Sequence, residues 1–186
     1  MSYRNSRLPH IAISGYAASG KSEISKLLVT ELAYTKIAFG ERMREVAIAR
    51  GLPLSRTVLI QLGRDIVADE GWHGFVKLFL KDVPPDSHLL LDGVRDLPAW
   101  IEIKKQLSCR GIALVHLDAS RIVRRGRLLE RRRADDMAVD IDEFQSNEQA
   151  ETDLDKLKLS ADLVVNAETS SQKVFEEIRK FIFFKP

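Results

Sequence analysis

Eight residues, Gly15-Tyr16-Ala17-Ala18-Ser19-Gly20-Lys21-Ser22, follow the pattern G-x-x-x-x-G-K-S directly behind the apolar run Ile11-Ala12-Ile13. That spacing suits the binding of a nucleoside triphosphate. Glycine at both ends lets consecutive backbone N–H groups turn inward around an anion, against the positive end of the helix that follows. Lys21 is then expected at the β- and γ-phosphates, and the Ser22 hydroxyl in the Mg²⁺ shell. The expected ATP contacts in the loop are Gly15, Ala17, Ala18, Ser19, Gly20, Lys21 and Ser22, whereas Tyr16 has no assigned role.

A metal bound to a triphosphate also needs a carboxylate at the end of a neighbouring strand. The run His88-Leu89-Leu90-Leu91-Asp92 supplies one, which makes Asp92 the candidate metal ligand and catalytic acid group. An Asp before a Gly at a strand end is also an ordinary turn signal. Arg95 follows at the carboxyl end of the same strand, where open α/β sheets bind ligands, and a guanidinium there can grip a phosphate through two hydrogen bonds. Gly40-Glu41-Arg42-Met43-Arg44 brings two more arginines near a helix start at the same edge.

Several of these segments resemble the P-loop nucleoside monophosphate kinases. Gly40, an acid and then Arg44 are similar to the glycine-acid-arginine spacing of adenylate kinase, where the arginine holds the acceptor's phosphate. The resemblance therefore implies acceptor binding at Gly40 and Arg44. Asp92-Gly93-Val94-Arg95 looks like the Asp-Gly-x-Pro-Arg segment of those kinases with one residue missing, which implies a second phosphate clamp at Arg95. Residues 127–136 are similar to the short lid of the uridylate-cytidylate kinases, and the lid role falls on Arg127, Arg131 and Arg133.

Physical chemistry supports those arginines independently. Charge spreads over the oxygens of a moving phosphoryl group, and it must be matched by fixed cations in a site closed to water. A solvated basic face or a nucleic-acid patch competes as a reading, since seven arginines lie between Arg121 and Arg133. Leu128 and Leu129 interrupt that run, and Asp135, Asp136, Asp140, Asp142 and Glu143 neutralise it at once, which argues against nucleic acid.

The chain also resembles archaeal P-loop proteins described only as nucleotide-kinase-like, from the P-loop to its last strand. Its middle segment, Gln61-Leu62-Gly63-Arg64-Asp65 and then Trp72 onward, looks like that of the phage deoxynucleoside monophosphate kinases. Dephospho-coenzyme A kinase shares the P-loop and the ending Ala161-Asp162-Leu163-Val164-Val165-Asn166, whose following loop contacts adenine in these families, so Asn166 and Ala167 are the implied base-site residues. A strand-end turn explains Asn166 equally well. The chain departs from the pattern at Gln145-Ser146-Asn147-Glu148, where the kinases carry a further arginine.

Short apolar runs that alternate with longer amphipathic stretches must position these residues, and they predict an α/β three-layer P-loop fold. The expected strands are residues 11–14, 36–39, 88–91, 112–117 and 162–165, and Gly40 ends the second. Expected helices are 22–32, 42–50, 57–69, 72–80, 98–107, 121–132, a long acidic one after about 139, and 174–183. The reading is a five-stranded parallel sheet with helices on both faces and a short arginine-rich lid. A length of 186 residues with 45% hydrophobic content fits one domain, with an acceptor segment at about 40–80 and a lid at about 127–140. Phe181, Ile182, Phe183 and Phe184 exceed what one helix face requires, and core packing or a dimer contact could use them.

A net charge of +2 carries no global field toward a polyanion. The single Cys109 excludes an internal disulfide and suits a reducing cytoplasm. No apolar run reaches membrane-spanning length, and residues 1–7 lack the apolar core of a signal peptide. His10, His73, His88 and His116 lack metal-ligand spacing and are expected to be structural.

The expected activity is transfer of the γ-phosphate of ATP·Mg²⁺ to a small phosphate-bearing acceptor, a nucleoside or deoxynucleoside monophosphate first, by a cytoplasmic monomer or homodimer. An ionised phosphate nucleophile needs no general base. A coenzyme A precursor's hydroxyl would need one from Asp92 or a nearby acid. The alternatives are a dephospho-coenzyme A kinase, a nucleic-acid or modified-nucleotide kinase, and a P-loop switch that has no acceptor.

Overall fold

The computed structural model describes residues 8–84, 86–130 and 148–184. Five strands, β1 (His10–Gly15), β2 (Thr35–Ala38), β3 (Leu89–Asp92), β4 (Ile112–Asp118) and β5 (Leu163–Asn166), pair in the order β2-β3-β1-β4-β5, all parallel. Parallel neighbours need crossover connections, and helices α1 (Lys21–Leu32), α2 (Phe39–Ala49), α3 (Arg56–Phe79), α4 (Leu97–Gln106), α5 (Arg121–Glu130), α6 (Glu148–Leu159) and α7 (Ser171–Phe184) lie between and after the strands. A 3₁₀ turn, Ser108–Arg110, precedes β4.

Strand alternation divides the core into two halves. Ile11 and Ile13 join Leu90, Val115 and Val165 on one face, where Ile24 and Leu28 of α1 and Phe175, Ile178 and Ile182 of α7 cover them. Ala12, Leu91 and Leu114 point the other way, under Met43 of α2, Phe75 and Phe79 of α3, Trp100 of α4 and Leu157 of α6. Each Leu or Ile so buried contributes about 1.5–3 kcal/mol relative to exposure. Two-sided burial is why the central strands read as unbroken apolar runs.

The sheet and its flanking helices follow the expected α/β plan, with differences at particular elements. The second strand ends at Ala38 rather than Phe39, and Gly40 lies inside α2. Phe39 has joined the helical layer because its ring stacks on Phe79 at a centroid distance of 4.3 Å, a packing that a strand position would forgo. The two helical segments expected across residues 57–80 are both present within α3 and meet at Gly71, whose φ 67° and ψ −179° are not helical. At the far end, Ile182 is buried, Phe181 and Phe183 pack partly against the core, and Phe184 remains 72% exposed. Most of that aromatic stripe is core.

The arm beyond Gly71 is held by side chains rather than by continuation of the helix. Trp72 meets Phe75 at 5.5 Å, Phe75 meets Phe79 at 4.7 Å, and His73 Nδ1 sits 2.8 Å from Glu102 of α4. Gln106 and His73 hold the Glu102 carboxyl below its usual range by hydrogen bonding. Gly71 occupies a backbone region that a Cβ makes costly. Gly71→Ala is expected to lose about 1–3 kcal/mol of stability, a fall of several degrees in Tm by thermal denaturation, with α1 and its loop unaffected.

Candidate functional site

The last residue of β1, Gly15, pairs with Leu117 of β4 and then leaves the sheet. A Cβ on Gly15 would stand 2.7 Å from the Leu117 carbonyl oxygen and 2.8 Å from the Ser19 hydroxyl, and its φ is 142°. Only glycine makes this turn at this distance. The loop ends at Gly20, the N-cap of α1, so Lys21 and Ser22 form the first turn, whose N–H groups have no intrahelical partners. Lys21 folds back on the loop, with Nζ donating to the carbonyls of Gly15 at 2.6 Å and Tyr16 at 2.7 Å. The Ser19 hydroxyl is buried against Gly15 and finds no partner among the described residues, while the Ser19 N–H donates to the Tyr16 carbonyl at 3.2 Å.

Tyr16, which had no assigned role, is the anchor of the loop. Its hydroxyl donates to Asp155 of α6, the Arg124 guanidinium of α5 covers its ring at 4.4 Å, and the His116 imidazole meets it edge-on at 6.0 Å. Arg124, within the basic run for which a solvated face was a competing reading, is only 7% exposed, and its Nε donates to the Ala119 carbonyl at 3.1 Å. Under the loop, Ser14 Oγ and His116 Nδ1 lie 2.9 Å apart. Burial pushes His116 down to about 4; Asp118 opposes this, and Lys158 and Lys21 add to it.

Arg127 bridges two parts of the site. Its Nη1 donates to the carbonyls of Ser19 at 3.2 Å and Ala18 at 3.4 Å, and its Nη2 to the Ala167 carbonyl at 2.6 Å. Beside it opens a cavity of about 190 Å³ walled by Gly20, Glu23, Ile24, Arg127, Thr169 and Val174. Asn166 Oδ1 accepts the Glu168 N–H at 2.9 Å, which forms the strand-end turn that was the alternative reading. Glu168 in turn accepts the Ser120 N–H at 2.7 Å, and hydrogen bonds from Ser120 hold its carboxyl below the usual range. The loop after β5 is thereby tied to the start of α5.

On the opposite side of β1, the register Ile13↔Asp92 puts Asp92 at the carboxyl edge, on the face that carries α1. Lys36 Nζ lies 3.1 Å from Asp92 and 3.9 Å from Glu41. Sequence reasoning missed Lys36, since nothing in a lysine's local context announces a carboxylate on the next strand. Arg42 pairs with Glu45 at 2.8 Å and donates to the Lys81 carbonyl at 3.2 Å, a structural tie. Arg44 is exposed and makes no ion pair with the described residues, and its Nη1 lies 3.7 Å from where a Cβ of Gly40 would stand. Arg95 is exposed, and the next carboxyl, Asp96, is raised by burial and by Asp153 against a lowering by Arg95. Arg131, Arg133 and Asn147 lie outside the described residues.

The four histidines are structural as expected: His10 Nδ1 accepts the Leu89 N–H at 3.0 Å, His88 Nδ1 lies 2.9 Å from the Leu8 carbonyl, and His73 and His116 bond as above. Because folding depresses the His116 pKa, the unfolded chain takes up a proton on this residue between pH 6.5 and 4 while the folded chain does not. Stability is therefore lost as pH falls through that window, by up to ~3 kcal/mol. Urea denaturation at pH 7 and pH 4.5 is expected to show a smaller acid-side loss for His116→Asn than for the wild type.

Residues 11–157 match the model of a family described as an AAA domain. A UPF0200 protein of Aeropyrum pernix is 26% identical over 170 residues, covering 91% of this chain and 90% of that protein. Another UPF0200 protein, from Methanosarcina acetivorans, is 30% identical over 129 residues and covers 68% of each. The structure superposes on shikimate kinase from Aquifex aeolicus with a TM-score of 0.51 and 23% identity, covering 91% of this chain and 94% of that one. That likeness shows a shared P-loop kinase fold. With its phosphate-type loop, strand order and matched length, the chain belongs to the AAA-domain family of P-loop proteins, together with the archaeal UPF0200 proteins.

Proposed function

We propose that this chain transfers the γ-phosphoryl group of ATP to a small acceptor that itself bears a phosphate, a nucleoside or deoxynucleoside monophosphate before others. The observation that carries the reading is the strand order β2-β3-β1. It sets side by side three carboxyl ends that continue into Gly40 and Arg44, into Asp92 and Arg95, and into the loop of Lys21. Three separate stretches thus leave the sheet from neighbouring strand ends, the edge at which open parallel sheets bind ligands, and this supports the meeting of a donor and an acceptor phosphate there.

In this reading the Lys21 ammonium leaves the carbonyls of Gly15 and Tyr16 for the phosphates, and the first-turn N–H groups of α1 receive them. Arg127 closes the cavity beside Gly20 and holds the base there, with Ala167 supplying backbone contact. Arg44 and Arg95 hold the acceptor's phosphate, and Arg131 and Arg133 belong to the lid that excludes water. The segment at 40–80 serves the acceptor. Ser22 and Asp92 fit Mg²⁺, since a hydroxyl and one carboxylate are hard oxygen donors, and no cluster of three acidic, His or Cys ligands exists among the described residues to hold it independently of phosphates. Mg²⁺, when bound, neutralises charge on the β- and γ-oxygens.

Release of ADP, measured against ribo- and deoxyribonucleoside monophosphates, dephospho-coenzyme A and a DNA oligonucleotide, tests the reading. A monophosphate is expected to stimulate release at least about tenfold. Stimulation by the oligonucleotide with steep salt dependence would point to a nucleic-acid kinase, and no stimulation at all to a switch without acceptor. Arg44→Ala should raise the acceptor KM roughly ten- to hundredfold and leave the ATP KM in place. Arg127→Ala should do the reverse.

A further inference from the structure

We propose that Lys36 is the resident counter-cation of Asp92, and that metal loading of this site is a cation exchange in which the Lys36 ammonium passes from Asp92 to Glu41. The proposal rests on the reading that Ser22 and Asp92 hold the metal of an ATP complex.

Register explains how a lysine on the second strand reaches that carboxylate. Lys36 pairs with Leu90 and Ala38 with Asp92, so the Lys36 side chain starts one pleat below Asp92 on the same face of the sheet and runs up to the carboxyl edge. That face carries α1 and hence Ser22. Asp92 is only 13% exposed, and the 3.1 Å contact supplies an opposite charge to a carboxylate with little access to water. Glu41, in the first turn of α2, lies 3.9 Å from the same ammonium and is 68% exposed, so it can receive the cation at small desolvation cost.

Two other cations near this edge are committed elsewhere. Lys21 is bonded to the carbonyls of Gly15 and Tyr16, and Arg42 to Glu45 and Lys81. A divalent ion arriving at Asp92 would meet the Lys36 charge within a few ångströms, and the two cannot share the carboxylate without mutual repulsion. The flexible four-carbon stem of lysine allows the ammonium to move while its backbone stays in β2. Glu41 is the acceptor within reach. Without metal the carboxylate stays neutralised, and with metal the displaced charge remains paired.

Opposite effects of two substitutions test the exchange. Mn²⁺ is titrated into the full chain saturated with ADP, and free Mn²⁺ is followed by its paramagnetic resonance signal. Lys36→Met, which removes the competing cation, is expected to tighten Mn²⁺ binding by about tenfold. Lys36→Gln keeps a hydrogen bond to Asp92 without the charge and should tighten it likewise, a result that loss of a merely structural contact would not produce. Glu41→Gln removes the receiving carboxylate and should weaken binding several-fold in the wild-type background but not in Lys36→Met. Unchanged or weaker binding in both Lys36 variants overturns the proposal, as does a Glu41→Gln effect that persists in full without Lys36. If Asp92→Asn leaves Mn²⁺ affinity unchanged, the metal assignment itself fails; if Asp92→Asn weakens it while the Lys36 variants do nothing, only the exchange fails.

Discussion

Contact between Gly15 and the Leu117 carbonyl governs the site. β1 keeps its pairing with β4 to its last residue and turns into the loop within a space that admits no side chain, 2.7 Å from Leu117 to the place of a Cβ. Because the turn is so tight, the loop stays close to the end of β1, and α1 starts directly after it at Lys21. A wider turn would carry Lys21 and Ser22 away from Asp92's strand. Hydrogen bonding of Ser14 to His116 and the burial of the Ser19 hydroxyl against Gly15 depend on the same close approach.

Four cations around the loop and the Asp92 edge are then each held by a partner. Lys21 lies on two loop carbonyls, Lys36 on Asp92, Arg127 on three carbonyls, and Arg124 on the Tyr16 ring and the Ala119 carbonyl. Burying Arg124 would be costly without those partners. The same arrangement connects the nucleotide loop to α5 through Arg124 and Arg127 and to α6 through Asp155, the two helices on either side of residues 131–147. In the proposed function, phosphate oxygens would compete for cations already oriented toward the loop, which lowers the reorganisation that binding requires.

Much of this was legible before any coordinates. The apolar run at 88–91, bounded by a proline-rich turn and Asp92-Gly93, read as a buried strand, and the Gly15 to Ser22 spacing, behind a buried strand, favoured an anion over a plain glycine turn. Boundaries were less legible where a side chain chose between layers, as with Phe39, whose stacking on Phe79 moved it from strand to helix. Tyr16 and Lys36 were missed for one reason: their partners, Asp155, Arg124 and Asp92, lie far away in sequence, and Tyr16 and Asp155 are 139 positions apart. The basic run is divided by the fold in a way its sequence does not announce, since Arg124 is buried while its neighbour Arg125 stays exposed.

Local chemistry alone therefore determined the elements and the donor loop, because backbone freedom at glycine, strand and helix periodicity, and the Lys-Ser pair act within a few residues of each other. That Arg42 is tied to the Lys81 carbonyl, which carboxylate Lys36 pairs with, and that Asn166 closes its own turn were decided only by the tertiary structure. Those outcomes depend on strand order and register, which bring together side chains that no sequence interval relates.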